Sequence, residues 1–173
     1  MNRINIRAEQ HTDYQQVYKV HQKAFGQEEE GQIVERIRKS GGFVPELSLV
    51  AEIDGAVVGH ILFSKITIET KQGDKESLSL APMAVLPDFQ KQGIGGQMIK
   101  AGIQKAVELG FDSIIVLGHA DYYPNFGFEK ASKWKITCSF EVPDEAFMAI
   151  ELKEDALANS AGKVVYPPAF NIE

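Results

Sequence analysis

A chain of 173 residues is long enough for one domain with a sizeable core, and its apolar share of 44% and charged share of 24% are ordinary for a globular protein. The net charge of -6 and isoelectric point near 5.3 argue against a nucleic-acid partner, whose footprint is basic. A single cysteine, Cys138, excludes an intrachain disulfide and a paired-cysteine metal site; with no signal-peptide core and no run near the roughly 18 apolar residues of a membrane helix, a reducing cytoplasm and no membrane partner are expected.

In chain order, "RINIRAEQ" alternates with Ile4 and Ile6 on one face and predicts a first strand. "HTDYQQVYKVHQKAF" predicts a helix with Thr12 as N-cap, Asp13 in its first turn, Val17, Val20 and Phe25 on the apolar stripe, and Gly26 as its stop. On this reading His11 and His21 are helix-surface residues. "EEEGQIVERIRKSGG" predicts a second helix with Ile33, Val34 and Ile37 inward; its glutamates are most simply a solvated start. Next comes a hairpin around Asp54-Gly55, the pair best suited to a tight type I′ turn. "KQGDK" is a second turn, followed by the strand "SLSLAPMAVLP", in which Pro82 implies a bulge or an end to pairing because proline donates no ladder bond.

"GIGGQMIKAGIQKAVELGF" predicts a third helix with Met98, Ile99, Ile103, Ala106, Val107 and Leu109 clustered at helical spacing. "SIIVLG" predicts a buried strand, "HADYYPNFGFEK" a short helix or turn, and "KWKITCSF" and "AFMAIELK" two last strands. Residues from about 153 read as a tail with a short strand at "KVVY". The basic run "FEKASKWK" reads as solvated loop and strand edge. Neither repeat nor linker divides the chain, so one domain over 1–173 is expected, as a monomer or a homodimer.

The chemistry lies in "VLPDFQKQGIGGQMIK". A P-loop requires lysine and a hydroxyl residue after the last glycine, and Gln97-Met98 stand there instead. The dinucleotide pattern G-x-G-x-x-G is matched only in part, since Gly93-x-Gly95 is followed by Met98. Two further readings are a helix start packed tightly on a sheet, and a loop whose successive N–H groups converge on a pyrophosphate, with glycine admitting close backbone approach.

Val85-x-Pro87-x-x-Gln90-x-x-Gly93-Ile94-Gly95 resembles the signature of GNAT-type N-acetyltransferases, Q/R-x-x-G-x-G/A after a strand ending V-x-P. Downstream, Tyr123-Pro-Asn-Phe-Gly127-Phe128 resembles the family's Y-x-x-x-G-F segment. "VLGHADYYPNFGF" and "YPPAF" are similar to a bacterial subgroup of N-acetyltransferases of uncertain substrate. The resemblance implies an α/β (α+β) domain: a central mixed, largely antiparallel, splayed sheet of about seven strands, flanked by helices. It also implies transfer of the acetyl group of acetyl-CoA, as co-substrate and without a metal, to a primary amine of a small molecule or protein.

Residue by residue, the resemblance assigns cofactor binding to Met83, Ala84 and Val85 on the splayed strand and to Gln90, Lys91, Gln92, Gly93, Ile94, Gly95 and Gly96 in the loop. The backbone N–H of Val85 would polarise the thioester carbonyl. Tyr123 would protonate the leaving thiolate, with adjacent Tyr122 the alternative. Where the family often carries an asparagine after the next strand, this chain has Gly118-His119-Ala120-Asp121, so His119 becomes a hydrogen-bond partner or base candidate. Glu52, His60 and Asp121 are further base candidates, and Asn125 a further cofactor contact. A non-catalytic acyl-CoA-binding module on the same scaffold is the competing reading.

Overall fold

The computed structural model describes residues 3–171, so the terminal residues of the expected 1–173 domain lie outside the described residues. Strand β1 (Ile4–Ala8) leads through a 3-10 turn into helices α1 (Tyr14–Phe25) and α2 (Glu29–Arg38). Strands β2 (Ser48–Ile53), β3 (Ala56–Thr70) and β4 (Gly73–Val85) form a meander. Helix α3 (Ile94–Glu108) and β5 (Ser113–Leu117) follow, then the short strands β6 (Glu129–Lys130) and β7 (Ile136–Cys138), β8 (Phe147–Glu151) and β9 (Gly162–Val165). Among the described residues, no helix is long and apolar enough to cross a membrane.

The nine strands among the described residues belong to one mixed sheet whose main path runs β1-β2-β3-β4-β5-β8-β6, with β9 joined to β3 and β7 to β9. Pairing is antiparallel except for β4 with β5 and β7 with β9. The β2–β3 hairpin closes through Asp54 (φ 51°) and Gly55 (φ 82°), both left-handed as a type I′ turn requires. β3 is long enough to take β2 along its first half and β9 along its second, Thr67 to Thr70.

The sheet is covered on both faces, which is why "VVGHILFS" reads as a nearly unbroken buried run. Val17 and Val20 of α1 and Val34 and Ile37 of α2 pack on Val50, Leu62, Ile66 and Ile68. Met98, Ile99 and Ala106 of α3 pack on the opposite face against Leu49, Ile61, Phe63, Leu80 and Ile114. Gly102 lets α3 approach closely, because a Cβ there would overlap the Phe63 ring.

Several sequence expectations are corrected. Thr12 is exposed and does not cap α1; the N-cap is Asp13, whose buried carboxylate instead takes Arg7 at 2.7 Å and the Gln10 N–H at 2.7 Å. Phe25, Val107 and Leu109 lie outside the core, because the stripes of α1 and α3 are narrower than their apolar content suggested. The segment from about 153 is no appendage: β9 is hydrogen-bonded to β3 and β7, and Leu157, Val164 and Phe170 are buried.

Candidate functional site

The edge of β4 is the first component. Leu86 N donates to Val58 O at 2.8 Å, with Gly59 opposite Val85 and His60 opposite Ala84. Antiparallel ladders alternate bonded and non-bonded pairs, so Val58–Leu86 and His60–Ala84 are the bonded ones. The backbone groups of Ala84 therefore face β3, while those of Met83 and Val85 face the opposite edge. On that edge β5 pairs only with Leu78 and Ser79. Farther along, Ala81 and Pro82 stand opposite Leu62 alone, the bulge expected at the proline. Met83 and Val85 thus present backbone groups to a wedge between two diverging strands.

The loop after β4 is the second component. The Gln90 side chain folds back, its Nε2 donating to Val85 O at 2.9 Å. That bond engages the Val85 carbonyl and leaves its N–H toward the wedge. Lys91 (φ 64°) and Gly93 (φ 84°) take left-handed conformations, and Gly93 is the N-cap of α3. The first turn of α3 contains no acidic side chain and Gly93 provides no side-chain cap. Gln97 N makes the opening helical bond, to Gly93 O at 3.1 Å. The N–H groups of Ile94, Gly95 and Gly96 consequently have no helical acceptor, and the positive end of the helix dipole coincides with them. Such a turn is suited to an anion.

The aromatic turn is the third component, a 3-10 segment over Tyr123–Phe126. The Tyr122 hydroxyl lies 3.2 Å, and Met83 Cε 3.6 Å, from the point where a Cβ on Gly95 would sit. The Phe126 ring lies 3.3 Å from the corresponding point on Gly96. Splayed strand, glycine loop and aromatic turn therefore meet at one place. Tyr123 is more deeply set than its neighbour. Its ring fills the space over Gly118 and meets Phe128 edge-on, with centroids 5.7 Å apart. Burial, and secondarily the Tyr122 phenol beside it, pushes Tyr123 up to about 12; burial also raises Tyr122.

A separate cleft lies elsewhere. About 750 Å³ in volume, it opens between α1 and α2 and includes Tyr14, Tyr18 and Arg38, with no residue of β4 or its loop.

Comparison with known proteins bears on this arrangement directly. The family model described as Acetyltransferase (GNAT) family matches residues 12–128. The chain belongs to the GNAT acetyltransferase family. The uncharacterized N-acetyltransferase YjhQ of Escherichia coli K12 is 36% identical over 135 residues, 78% of this chain and 75% of that protein. Its counterpart YhbS from the same organism is 31% identical over 150 residues, 86% and 87% of the two chains. The crystal structure of E. coli YhbS in complex with CoA superposes with a TM-score of 0.91 at 29% identity, covering 99% of this chain and 94% of that one. A GNAT family acetyltransferase from Brucella melitensis in complex with acetyl-CoA gives 0.80 at 31% identity, covering 98% and 99%. As a GNAT member the chain is an acyltransferase.

Against the GNAT frame, the remaining candidates separate clearly. His119 and Asp121 lie exposed in the loop after β5. The His119 carbonyl accepts the N–H groups of Tyr122 at 3.1 Å and Tyr123 at 3.3 Å, so its backbone holds the aromatic turn. Asn125 Nδ2 donates to Asp121 O at 3.2 Å. Glu52 is engaged by Asn5 at 2.8 Å and Arg7 at 3.2 Å, which hold its carboxyl below the usual range. His60 is fully buried and faces α1 rather than the wedge.

The sequence reading missed a polar chain beneath α1. Arg38 Nε and Nη2 clamp Glu9, each at 2.9 Å; Ser48 Oγ donates to Glu9 Oε1 at 2.7 Å and lies 2.8 Å from His60 Nε2. His60 Nδ1 in turn lies 2.8 Å from Nε2 of His21. His21, expected on the surface, has no exposure at all. Helical spacing alone locates it, since 17, 20, 21 and 24 form one face.

Proposed function

We propose that this chain transfers the acetyl group of acetyl-CoA directly to a primary amine of a small molecule or a protein, in the cytoplasm and without a metal. The observation that carries the reading is the convergence of the unpaired Met83 and Val85 edge with the free N–H groups of Ile94, Gly95 and Gly96. An extended pantetheine arm suits the strand edge, which offers hydrogen bonds as to an added strand. The diphosphate suits the loop from Lys91 to Gly96, where contacts are made by main chain and side chains are free to vary. Gln90 serves this site by tying the loop to the end of β4. CoA and acetyl-CoA are bound by the solved relatives from E. coli and B. melitensis, which supports the same ligand here.

Bound acetyl-CoA supplies an activated acyl carbon. The Val85 N–H is positioned to stabilise the negative charge that develops on the carbonyl oxygen as the amine nitrogen attacks. As the C–S bond breaks, the Tyr123 hydroxyl donates its proton to the sulfur; the nitrogen releases one proton to water or to a base of the acceptor cleft, and water returns a proton to the Tyr123 phenolate. Burial raises the Tyr123 phenol, so the hydroxyl carries its proton across the working pH range. The wild-type chain is expected to bind acetyl-CoA in calorimetry and to release free thiol when presented with a panel of primary amines and lysine peptides. Binding without thiol release for any acceptor would favour the acyl-CoA-binding module, and no binding would remove the reading altogether.

A further inference from the structure

The cleft of about 750 Å³ between α1 and α2 takes no part in the acetyl-CoA reading. Tyr14, Tyr18 and Lys19 of its lining come from α1, and Glu35, Arg38 and Lys39 from α2 and its C-cap. We propose that this cleft is a second ligand site, shaped for a small aromatic carboxylate. The proposal stands on the cleft alone and does not rest on the acetyl-CoA reading.

Size and rings point to an aromatic body. The volume falls among those of cavities that enclose small organic ligands, roughly 300–1,000 Å³. Tyr14 and Tyr18 stand four residues apart, so their rings share one face of α1. Each ring is held in place by the protein itself. The Arg38 guanidinium lies 3.8 Å over the Tyr14 ring, which is still 38% exposed and therefore not sealed by that stack. The Tyr18 ring approaches within 2.8 Å of the point where a Cβ on Gly31 would sit, and its hydroxyl donates to Glu28 Oε1 at 3.1 Å. Rings fixed in this way offer an arene a stacking surface at little cost in side-chain entropy.

Charge selects the other end of the ligand. Arg38 turns Nε and Nη2 to Glu9, each at 2.9 Å, whereas Nη1 takes no protein acceptor and is not closed off from solvent. Lys19 and Lys39 are exposed and make no ion pair among the described residues; the same holds for Glu35. Glu9 offsets Arg38 and Glu35 offsets one lysine, so a single cationic charge is left over in the lining, in a chain whose net charge is -6. That surplus favours an anion over a cation, and the free edge of a planar guanidinium suits a carboxylate. Glu35 disfavours a multiply charged anion, which sets the class at one carboxylate on an aromatic body.

The test is titration of 1-naphthaleneacetate and its neutral amide into the full chain, with and without coenzyme A, followed by backbone amide NMR shifts. Wild type is expected to bind the acid with a Kd of about 1 mM or below, about tenfold more tightly than the amide, as one charge-assisted contact allows. The shifts should centre on α1 and α2 and persist when coenzyme A is added. Lys19→Gln combined with Lys39→Gln should lower the ratio of acid to amide affinity to about threefold or less. Lys23→Gln, an exposed α1 lysine outside the lining, should keep the wild-type ratio. Gln22→Trp, which fills the cleft from an exposed lining position, should weaken both probes about tenfold or more. Absence of saturable binding, equal binding of acid and amide, or undiminished binding in Gln22→Trp overturns the proposal. So does a ratio that survives the double lysine variant or is lost equally in Lys23→Gln, since the cleft's own charges then do not read the carboxylate. Shifts centred on β4 and the glycine loop that coenzyme A abolishes overturn it as well, because they place the probe in the wedge and leave the acetyl-CoA reading standing.

Discussion

His21 Nε2 and His60 Nδ1 lie 2.8 Å apart in the core, and the protons of both rings are assigned by a third residue, Glu9. An ionised Glu9 can only accept, so Ser48 donates to it, and the Ser48 oxygen accepts from His60 Nε2–H. His60 Nδ1 is then an acceptor for His21 Nε2–H. This ordering leaves His21 Nδ1 as a buried lone pair without a protein partner. The chain requires a neutral His60, whose Nδ1 must accept, and a proton added to His21 Nδ1 would be buried without a partner.

That requirement predicts acid destabilisation. Burial lowers His21 to about 2, with a further contribution from His60, and burial together with Arg38 lowers His60 to about 3. Both values lie below the ordinary histidine value near 6.5, so the unfolded chain binds more protons between these limits. Stability is therefore full above about pH 6.5 and falls as the pH drops, by about 2 kcal/mol per histidine at pH 5. Urea denaturation at pH 7, 6 and 5 should show the decline, and His21→Gln should roughly halve its slope. A flat profile would mean that the pair is not buried and neutral.

The clamp on Glu9 predicts a second stability effect. Its side chain is 2% exposed and the Arg38 side chain 9%, with the guanidinium also stacked 3.8 Å over the Tyr14 ring. Removing one partner of a buried pair leaves an uncompensated charge, at a cost of about 3–5 kcal/mol. Arg38→Met should lose stability of that order in urea titration at pH 7. Arg38→Met combined with Glu9→Gln should recover part of it, because the orphaned charge is gone. Additive losses would show that Arg38 contributes by packing on Tyr14 alone.

These polar groups also mark where sequence reading stopped. The hairpin at Asp54-Gly55, the helix stop at Gly26 and the bulge at Pro82 were legible because each depends on local backbone chemistry. So was the glycine loop, whose residues bond or bend within a few positions of one another. The chain from Glu9 to His21 was not, since it joins a loop, a helix and two strands that are distant in sequence, and polar side chains carry no signal of burial. His21 itself is legible from helical spacing, since 17, 20, 21 and 24 share one face. β9 was underestimated for a related reason: four residues are too few to reveal that they extend the edge of β3.

Tyr122 and Tyr123 are adjacent but differently placed, which makes their roles separable. Tyr123→Phe is expected to lower turnover by about 10²–10³-fold with acetyl-CoA affinity within about twofold of wild type, as loss of a proton donor implies. Tyr122→Phe, at the rim beside Gly95, should change affinity and leave turnover near wild type. Because burial raises Tyr123 to about 12, its ionisation should produce no alkaline loss of kcat below about pH 11. Steady-state kinetics beside calorimetry on both variants checks the assignment, and a turnover loss confined to Tyr122→Phe would reverse it.

Two glycines of the loop should fail in different ways when enlarged. Gly93 has φ 84°, where a Cβ costs about 1–2 kcal/mol, so Gly93→Val should lower the melting temperature as well as the affinity for acetyl-CoA. Gly95 lies within α3, with no left-handed backbone to strain, and valine is a better helix residue than glycine. Its β position instead lies 3.2 Å from the Tyr122 hydroxyl and 3.6 Å from Met83 Cε, beside the free N–H groups of the first turn. Gly95→Val should therefore keep a melting temperature within a few degrees of wild type and lose about tenfold or more in acetyl-CoA affinity, equivalent to about 1.4 kcal/mol. Calorimetry and thermal denaturation on the same preparations separate the two cases. Unchanged affinity in a folded Gly95→Val chain would place the diphosphate away from this loop.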